Sequence, residues 1–389
     1  MTDPRLAAIR DGLARAIETG AIAGAVWLVE ERGARHVEAQ GRRSFDDDTP
    51  MTADTLFHVA SMTKPITAAA AMRLVEQGRI GLDDPLDPWL PELAHRRVLR
   101  SLASALDDTV PAGRPITLRD LLTCRMGLGL IVPMDGNTPI QQAMREARIE
   151  PGPDGAPFGP DELLRCLGAL PLAAQPGERW LYHTSFDVLG ALLARVAGRR
   201  LEPFLGQLLF EPLGMTDTHY TVPATDHRRR AGVYAADPQT GRLARRDAGN
   251  GHPSGSTGLQ TTLEDYAAFG RMMLQGGRSG RLRVLQEATV QAMATDQISA
   301  DVKARSPFFP GFWDSHGWGL GMAVATSGAA RGRFGWDGGF GTSWAALPGP
   351  GMQARQGMQA ILLIQRLFDD QTLAILEGFW KEVTAAGVH

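Results

Sequence analysis

The sequence predicts an α+β protein: one antiparallel sheet built from both chain ends, helices packed on its faces, and a mostly helical lobe inserted between. Three observations carry this expectation. Strand-like runs stand near the N-terminus, at Gly24 to Glu30 and Arg35 to Gln40. Strand character then fades and returns only at Leu320 to Ala325, Thr342 to Leu347 and Gln359 to Gln365. The long middle instead carries helical periodicities joined by loops rich in Pro and Gly. Segregated strands and helices of this kind read as α+β. On this reading residues 1–85 and 255–389 form the lobe with the sheet, and residues 86–254 form the inserted lobe. A functional site is expected in the cleft between them.

Taken in order, the first element is a helix over residues 4–19, with Leu6, Ile9, Leu13 and Ile17 on one face. The two early strands face each other across a turn at Arg32-Gly33. A helix starts near Ser61 and runs to about Gln77. Pro65 falls in its first turn, where proline is tolerated, and Gly78 supplies the stop. Helical patterns follow at 118–124, 161–168, 186–197 and 201–209, and Glu150 to Pro160 reads as a loop. A last helix is expected over roughly 370–386. No internal repeat is present.

Composition sets the class. Of 389 residues, 43% are hydrophobic and 21% charged, an ordinary globular balance. A net charge of −3 gives no reason to expect nucleic acid or an anionic membrane as a partner. Arg228-Arg229-Arg230 reads as a solvated loop. The start, Met1-Thr2-Asp3-Pro4-Arg5, lacks the basic-then-apolar order of a signal peptide, and no apolar run is long enough to span a membrane. Two cysteines, Cys124 and Cys166, are expected as buried thiols in a reducing compartment. A soluble, cytoplasmic protein is the expectation, with its oligomeric state open.

The chemistry begins at Ser61-Met62-Thr63-Lys64. Residues three apart on a helix share a face, so Lys64 projects beside Ser61. A serine hydroxyl is a weak nucleophile until a base takes its proton. A lysine serves once burial lowers its pKa. Ser61 also stands at a helix N-terminus, where free N–H groups favour a developing oxyanion. The chain has 13 serines but only three lysines, Lys64, Lys303 and Lys381. Chance placement gives roughly 0.1 such pairs. A helix cap followed by an exposed lysine is the plain alternative.

The wider context, Phe57-His58-Val59-Ala60-Ser61-Met62-Thr63-Lys64-Pro65, resembles the nucleophile segment of the β-lactamase-like serine hydrolases. These include class C β-lactamases, DD-peptidases and the family VIII carboxylesterases. Further stretches resemble the family in order: Thr117 to Cys124, Pro176 to Tyr182, Pro212 to Thr218, and Ser256 to Phe269. Cys124 and Met126 depart from the family's His and Ser.

The resemblance implies a β-lactamase/transpeptidase-like fold and an acyl-enzyme on Ser61. It makes Tyr182 the third catalytic residue beside Ser61 and Lys64, with the choice of proton acceptor between Tyr182 and Lys64 open. It places the backbone N–H groups of Ser61 and Gly339 in an oxyanion hole. Trp336-Asp337-Gly338 stands where the family has its Lys-Thr-Gly box. Tryptophan offers an apolar wall and one N–H where lysine offers a cation, which favours neutral esters. Trp336, Asp337, Gly338, Thr184 and His183 are the expected substrate-binding positions. No cofactor and no metal is expected; no His-Glu-x-x-His motif, Gly-x-Ser-x-Gly elbow or phosphate-binding loop occurs. The reading is an ester hydrolase most like a family VIII carboxylesterase, acting on a small-molecule ester. Amide hydrolysis, acyl transfer and a non-catalytic ligand-binding relative stay open.

Overall fold

The computed structural model describes residues 3–246, 252–349 and 357–385. The early hairpin joins β1 (Gly24–Glu31) to β2 (Ala34–Gly41) through Arg32 and Gly33, whose φ values are 52° and 85°. Two positive φ values make the two-residue turn whose twist matches the strands. The late strands are β3 (His316–Trp318), β4 (Ala323–Ala325), β5 (Phe334–Gly338), β6 (Thr342–Leu347) and β7 (Met358–Leu363). All pair antiparallel in the order β3-β4-β5-β6-β7-β1-β2. The first and last parts of the chain meet where β7 pairs with β1, with Val26 opposite Leu363.

The alternation of β1 builds two cores. Ala25, Trp27 and Val29 face α1 (Pro4–Glu18) and the final helix, packing with Ile9, Leu13, Leu376 and Phe379. Val26 and Leu28 face the opposite core, shared with α2 (Thr63–Glu76) and the middle of the chain. That middle supplies α3 (Leu118–Leu122), α4 (Pro139–Glu146), α5 (Pro160–Ala169), α6 (Thr184–Ala197) and α7 (Leu201–Leu205). Two later helices flank the sheet: α8 (Leu263–Leu274), packed on β6 and β7, and α9 (Asp370–Thr384). Residue 386, the expected end of the last helix, lies outside the described residues.

The sheet differs from expectation in two places, and glycines explain both. The run Leu320 to Ala325 is not one strand, because Gly319 and Gly321 turn a corner between β3 and β4. Gly321 has φ 101°, and a Cβ there would lie 2.3 Å from the Cβ of Ala68 on α2. The Gly-rich segment at 334–338 is itself a strand. A Cβ on Gly335 would lie 2.1 Å from the Trp344 oxygen of β6, so the strand needs glycine to sit there. The 201–209 pattern breaks at residue 205 and continues as a wider π turn, Gly206–Phe210. Among the described residues no helix is long and apolar enough to cross a membrane.

Candidate active site

Ser61 lies in a single tight turn, Ala60–Met62, that leads into α2. Its approach is fixed on one side. Phe57–His58 pairs with Gln260–Thr261, and the Val59 N–H donates to the Leu259 oxygen at 3.0 Å. Ala60 has φ 40°, a left-handed backbone that costs a non-glycine residue energy and persists only where packing imposes it. Here Ala60 is buried against Val233 and Phe340.

One helical turn further, Lys64 is completely buried. Its Nζ lies 2.9 Å from Ser61 Oγ, donates to the Ser256 carbonyl at 2.9 Å, and stands 3.4 Å from His183 Nδ1. All three partners are uncharged. Burial pushes the ammonium down to about 7, although Asp187 acts to raise it. Lys64 is also the second residue of α2, at the positive end of the helix dipole, which opposes a charge there.

Tyr182 closes the other side. The Lys64 Nζ sits over its ring, 4.6 Å from the centroid. The Trp336 Nε1–H donates to the Tyr182 hydroxyl oxygen, and the Ser61 side chain is near enough to favour the ionised phenol slightly. Burial holds the phenol well above its ordinary range, so it is neutral near pH 7. The ring stacks on Trp180, with centroids 5.5 Å apart, and meets Phe308, Trp318 and Trp336 at 5.4–5.9 Å.

Two turns bring these groups together. His183 has φ 84° and ψ −73°, and the Thr184 N–H donates to the Tyr182 oxygen at 3.3 Å. That is a strained γ-turn just before α6, and it lets Tyr182 and His183 both face Lys64. The second is the Gly255-Ser256 loop. A Cβ on Gly190 of α6 would lie 2.5 Å from the Gly255 nitrogen, and one on Gly255 would lie 2.3 Å from the Phe186 oxygen. Only glycines allow this approach, which delivers the Ser256 carbonyl to Lys64.

β5 completes the cleft. A Cβ on Gly338 would lie 2.3 Å from the Val59 oxygen, so this glycine lets the strand touch the turn carrying Ser61. Gly339 follows at the end of the strand, with the Pro153 side chain against it.

Residues 8–374 match the family described as Beta-lactamase. The chain belongs to that family. Protein Rv1367c of Mycobacterium tuberculosis is 38% identical over 349 residues, covering 85% of this chain and 84% of its own. Esterase EstB of Burkholderia gladioli is 31% identical over 369 residues, covering 87% and 86%. Among solved structures, EstCE1, described as a hydrolase with promiscuous acyltransferase activity, superposes with a TM-score of 0.77 at 25% identity, covering 98% of each chain.

Within this beta-lactamase-family fold, Ser61, Lys64, Tyr182, Trp336, Gly338 and Gly339 gather at one cleft. Three other expected substrate-binding positions fall elsewhere. Asp337 points to the opposite face of the sheet, because successive strand residues alternate. Its carboxylate accepts from Ser343, which in turn receives the Trp380 indole N–H at 2.8 Å. His183 and Thr184 are 4% and 1% exposed, beneath the cleft surface. The Thr184 hydroxyl has no hydrogen-bond partner among the described residues. Trp336 lines the cleft as an apolar wall, but its N–H is committed to Tyr182 and not free for a substrate.

The sequence reading missed a buried polar chain behind Lys64. His183 Nε2 lies 3.0 Å from Ser256 Oγ and 3.6 Å from Asp187 Oδ2. The Ser256 hydroxyl donates to Asp187 Oδ1, which also accepts from Ser254 Oγ at 2.6 Å. One signal was available: His183 and Asp187 are four apart at the start of a helix. Cys124, expected as an inert buried thiol, lies close enough to Lys64 to feel its charge, while burial pushes its thiol up to about 12. Both cysteines are free, and Cys166 is only half-buried.

Proposed function

We propose that the protein is a serine hydrolase that cleaves carboxylic esters through an acyl-enzyme on Ser61. The observation that carries this is Lys64: fully buried, held by uncharged groups, and 2.9 Å from Ser61 Oγ. A lysine lowered to about 7 is half neutral near pH 7, which suits a general base. Lys64 takes the Ser61 proton as Oγ bonds to the ester carbonyl. The oxyanion is held by the backbone N–H groups of Ser61 and Gly339. As the tetrahedral adduct collapses, the C–O bond to the alcohol breaks. The proton on Lys64 passes to the leaving oxygen, with the neutral Tyr182 hydroxyl hydrogen-bonded there. Water then repeats the sequence, giving its proton to Lys64 and releasing the acid and Ser61. No cofactor takes part.

Esters are favoured over β-lactams and peptides because Trp336 replaces a substrate-facing cation with an apolar wall. The esterase relative EstB supports the same choice. Acyl transfer to an alcohol in place of water is the second reading. The half-buried rings of Phe308 and Trp336 beside Tyr182 suit an apolar acceptor, and EstCE1 is described with that activity.

Ser61→Ala is expected to abolish hydrolysis of a short-chain aryl ester and labelling by a fluorophosphonate, with circular dichroism unchanged. Unaltered turnover would exclude Ser61. Faster cleavage of a chromogenic cephalosporin than of the aryl ester would overturn the argument from Trp336. An ester product formed from added alcohol would favour acyl transfer.

A further inference from the structure

Behind the lysine, hydrogen-bond donors and acceptors can be counted, and the count fixes where each proton sits. With Asp187 ionised, the one hydrogen of the Ser256 hydroxyl is spent on Asp187 Oδ1, and the Ser254 hydroxyl, 3.1 Å from Ser256 Oγ, spends its own on the same carboxylate oxygen. Ser256 Oγ can therefore meet His183 Nε2, 3.0 Å away, only as an acceptor. The imidazole is neutral, since burial and the neighbouring Lys64 hold it well below its ordinary range. Its one N–H is then on Nε2, and Nδ1 is a bare acceptor facing Lys64 at 3.4 Å. A neutral amine has two N–H donors and one lone pair. The Ser256 carbonyl takes one donor at 2.9 Å, and His183 Nδ1 takes the other. The one contact left for the lone pair is Ser61 Oγ.

We infer that His183 is a positioning residue: Ser256 and Asp187 fix its tautomer, and its bare Nδ1 turns the lone pair of Lys64 onto the Ser61 hydroxyl. Without that acceptor, an amine N–H points at Ser61 Oγ and the lone pair at nothing useful. The inference rests on the proposed role of Lys64 as base. It explains why a strained γ-turn is kept at His183 and why the Ser254-Gly255-Ser256 loop is pressed against α6.

The groups around Lys64 determine how activity depends on pH. They are Ser61 on its own element, the Cys124 thiol after α3, Tyr182 and His183 before α6, Asp187 within α6, and Ser256 on its loop. The ammonium form has three N–H donors for the same three acceptors. Losing His183 Nδ1 leaves one donor unmatched and makes the ammonium harder to form. The acid limb of the pH–rate profile should then move to lower pH, while the plateau falls. A variant that merely loosens the pocket would let water reach Lys64 and move the limb the other way.

The test compares His183→Ala with His183→Asn in aryl-ester hydrolysis. Asparagine tolerates positive φ and sets a carbonyl oxygen near the place of Nδ1. His183→Ala is expected to lose about 100-fold in plateau kcat/KM, the scale of general-base catalysis, with the acid limb lowered. His183→Asn should stay within about tenfold of the wild type, with the limb unmoved. Equal losses in the two variants, or a limb moved to higher pH in His183→Ala, would overturn the inference. Because the alanine variant must still fold around a positive φ, the wild-type protein supplies a second measurement. Its histidine ¹⁵N spectrum above pH 8 should show His183 protonated at Nε2 and bare at Nδ1; the opposite tautomer overturns the inference. Wild-type labelling by a fluorophosphonate separates the two claims. If Ser61 is not labelled, the esterase reading fails. If it is labelled and the variants behave alike, only the role of His183 fails.

Discussion

Lys64 and Arg96 are both buried cations, yet their surroundings direct them to opposite ends. Arg96 sits at the C-terminal end of α5, donating to the Leu167 oxygen at 2.9 Å, the Gly168 oxygen at 2.6 Å and the Leu170 oxygen. These carbonyls stand at the negative end of the helix dipole, and only that of Leu167 is also met by a backbone N–H, from Leu170 at 3.3 Å, among the described residues. Burial lowers Arg96 only to about 10, so it stays charged and clamps the helix end. Lys64 stands at the positive end of α2, meets one carbonyl, and drops to about 7. Burial acts on both, but the guanidinium starts from 12.5 and the ammonium from 10.5, so burial leaves one charged and brings the other into the neutral range, and the helix end beside each works in the same direction.

The sharpest way to break this comparison is to remove each cation. Lys64→Met should lower ester kcat/KM by at least about 1000-fold, within the range of general-base catalysis. It should also stabilise the fold at low pH. The unfolded chain binds a proton at Lys64 up to its ordinary value of 10.5, whereas the folded chain does so only below about 7. Between these values the unfolded state holds more protons, so wild-type stability rises with pH across that window. The stability advantage of Lys64→Met in urea unfolding should therefore shrink by about 4 kcal/mol between pH 6 and pH 10. A pH-independent difference would mean that Lys64 is charged in the folded protein. Arg96→Met should do the reverse. It leaves buried carbonyls unpaired and is expected to cost about 3 kcal/mol of stability with ester turnover unchanged. The smallest effect sharpens the comparison within the Lys64 pocket. Tyr182→Phe keeps the ring under the lysine and removes only the hydroxyl. It should lose about 100-fold in kcat without moving the acid limb, because that limb belongs to Lys64.

Sequence spacing made part of this site legible. Ser61 and Lys64 share one helical face, a local relation that three-residue spacing encodes. The hairpin at Arg32-Gly33 and the helix stop at Gly78 were readable for the same reason. Asp337 was assigned to the substrate because Trp336-Asp337-Gly338 stands where the family has its Lys-Thr-Gly box, and that resemblance carries no information on which way each side chain points. In the strand, alternation sends Asp337 to the far side. His183 was expected at the substrate beside Tyr182, but it sits in a γ-turn before the helix that turns its ring under the site toward Lys64. The Ser256 contribution is a carbonyl, which every residue carries and no side-chain pattern can reveal. Its only trace is Gly190 and Gly255, which stand 65 positions apart and meet only in the folded chain.

That glycine pair has a practical consequence for anyone reshaping the enzyme. Adding one methyl group at Gly190 would put a carbon 2.5 Å from the Gly255 backbone nitrogen, so the loop would have to move, and with it the acceptor that Lys64 relies on. No atom lining the cleft would change. The contact thus holds the loop behind Lys64 in place from a position outside the site itself. Substitutions at Gly190 or Gly255 are therefore expected to show first as lost stability and an altered pH dependence, before any change in substrate choice.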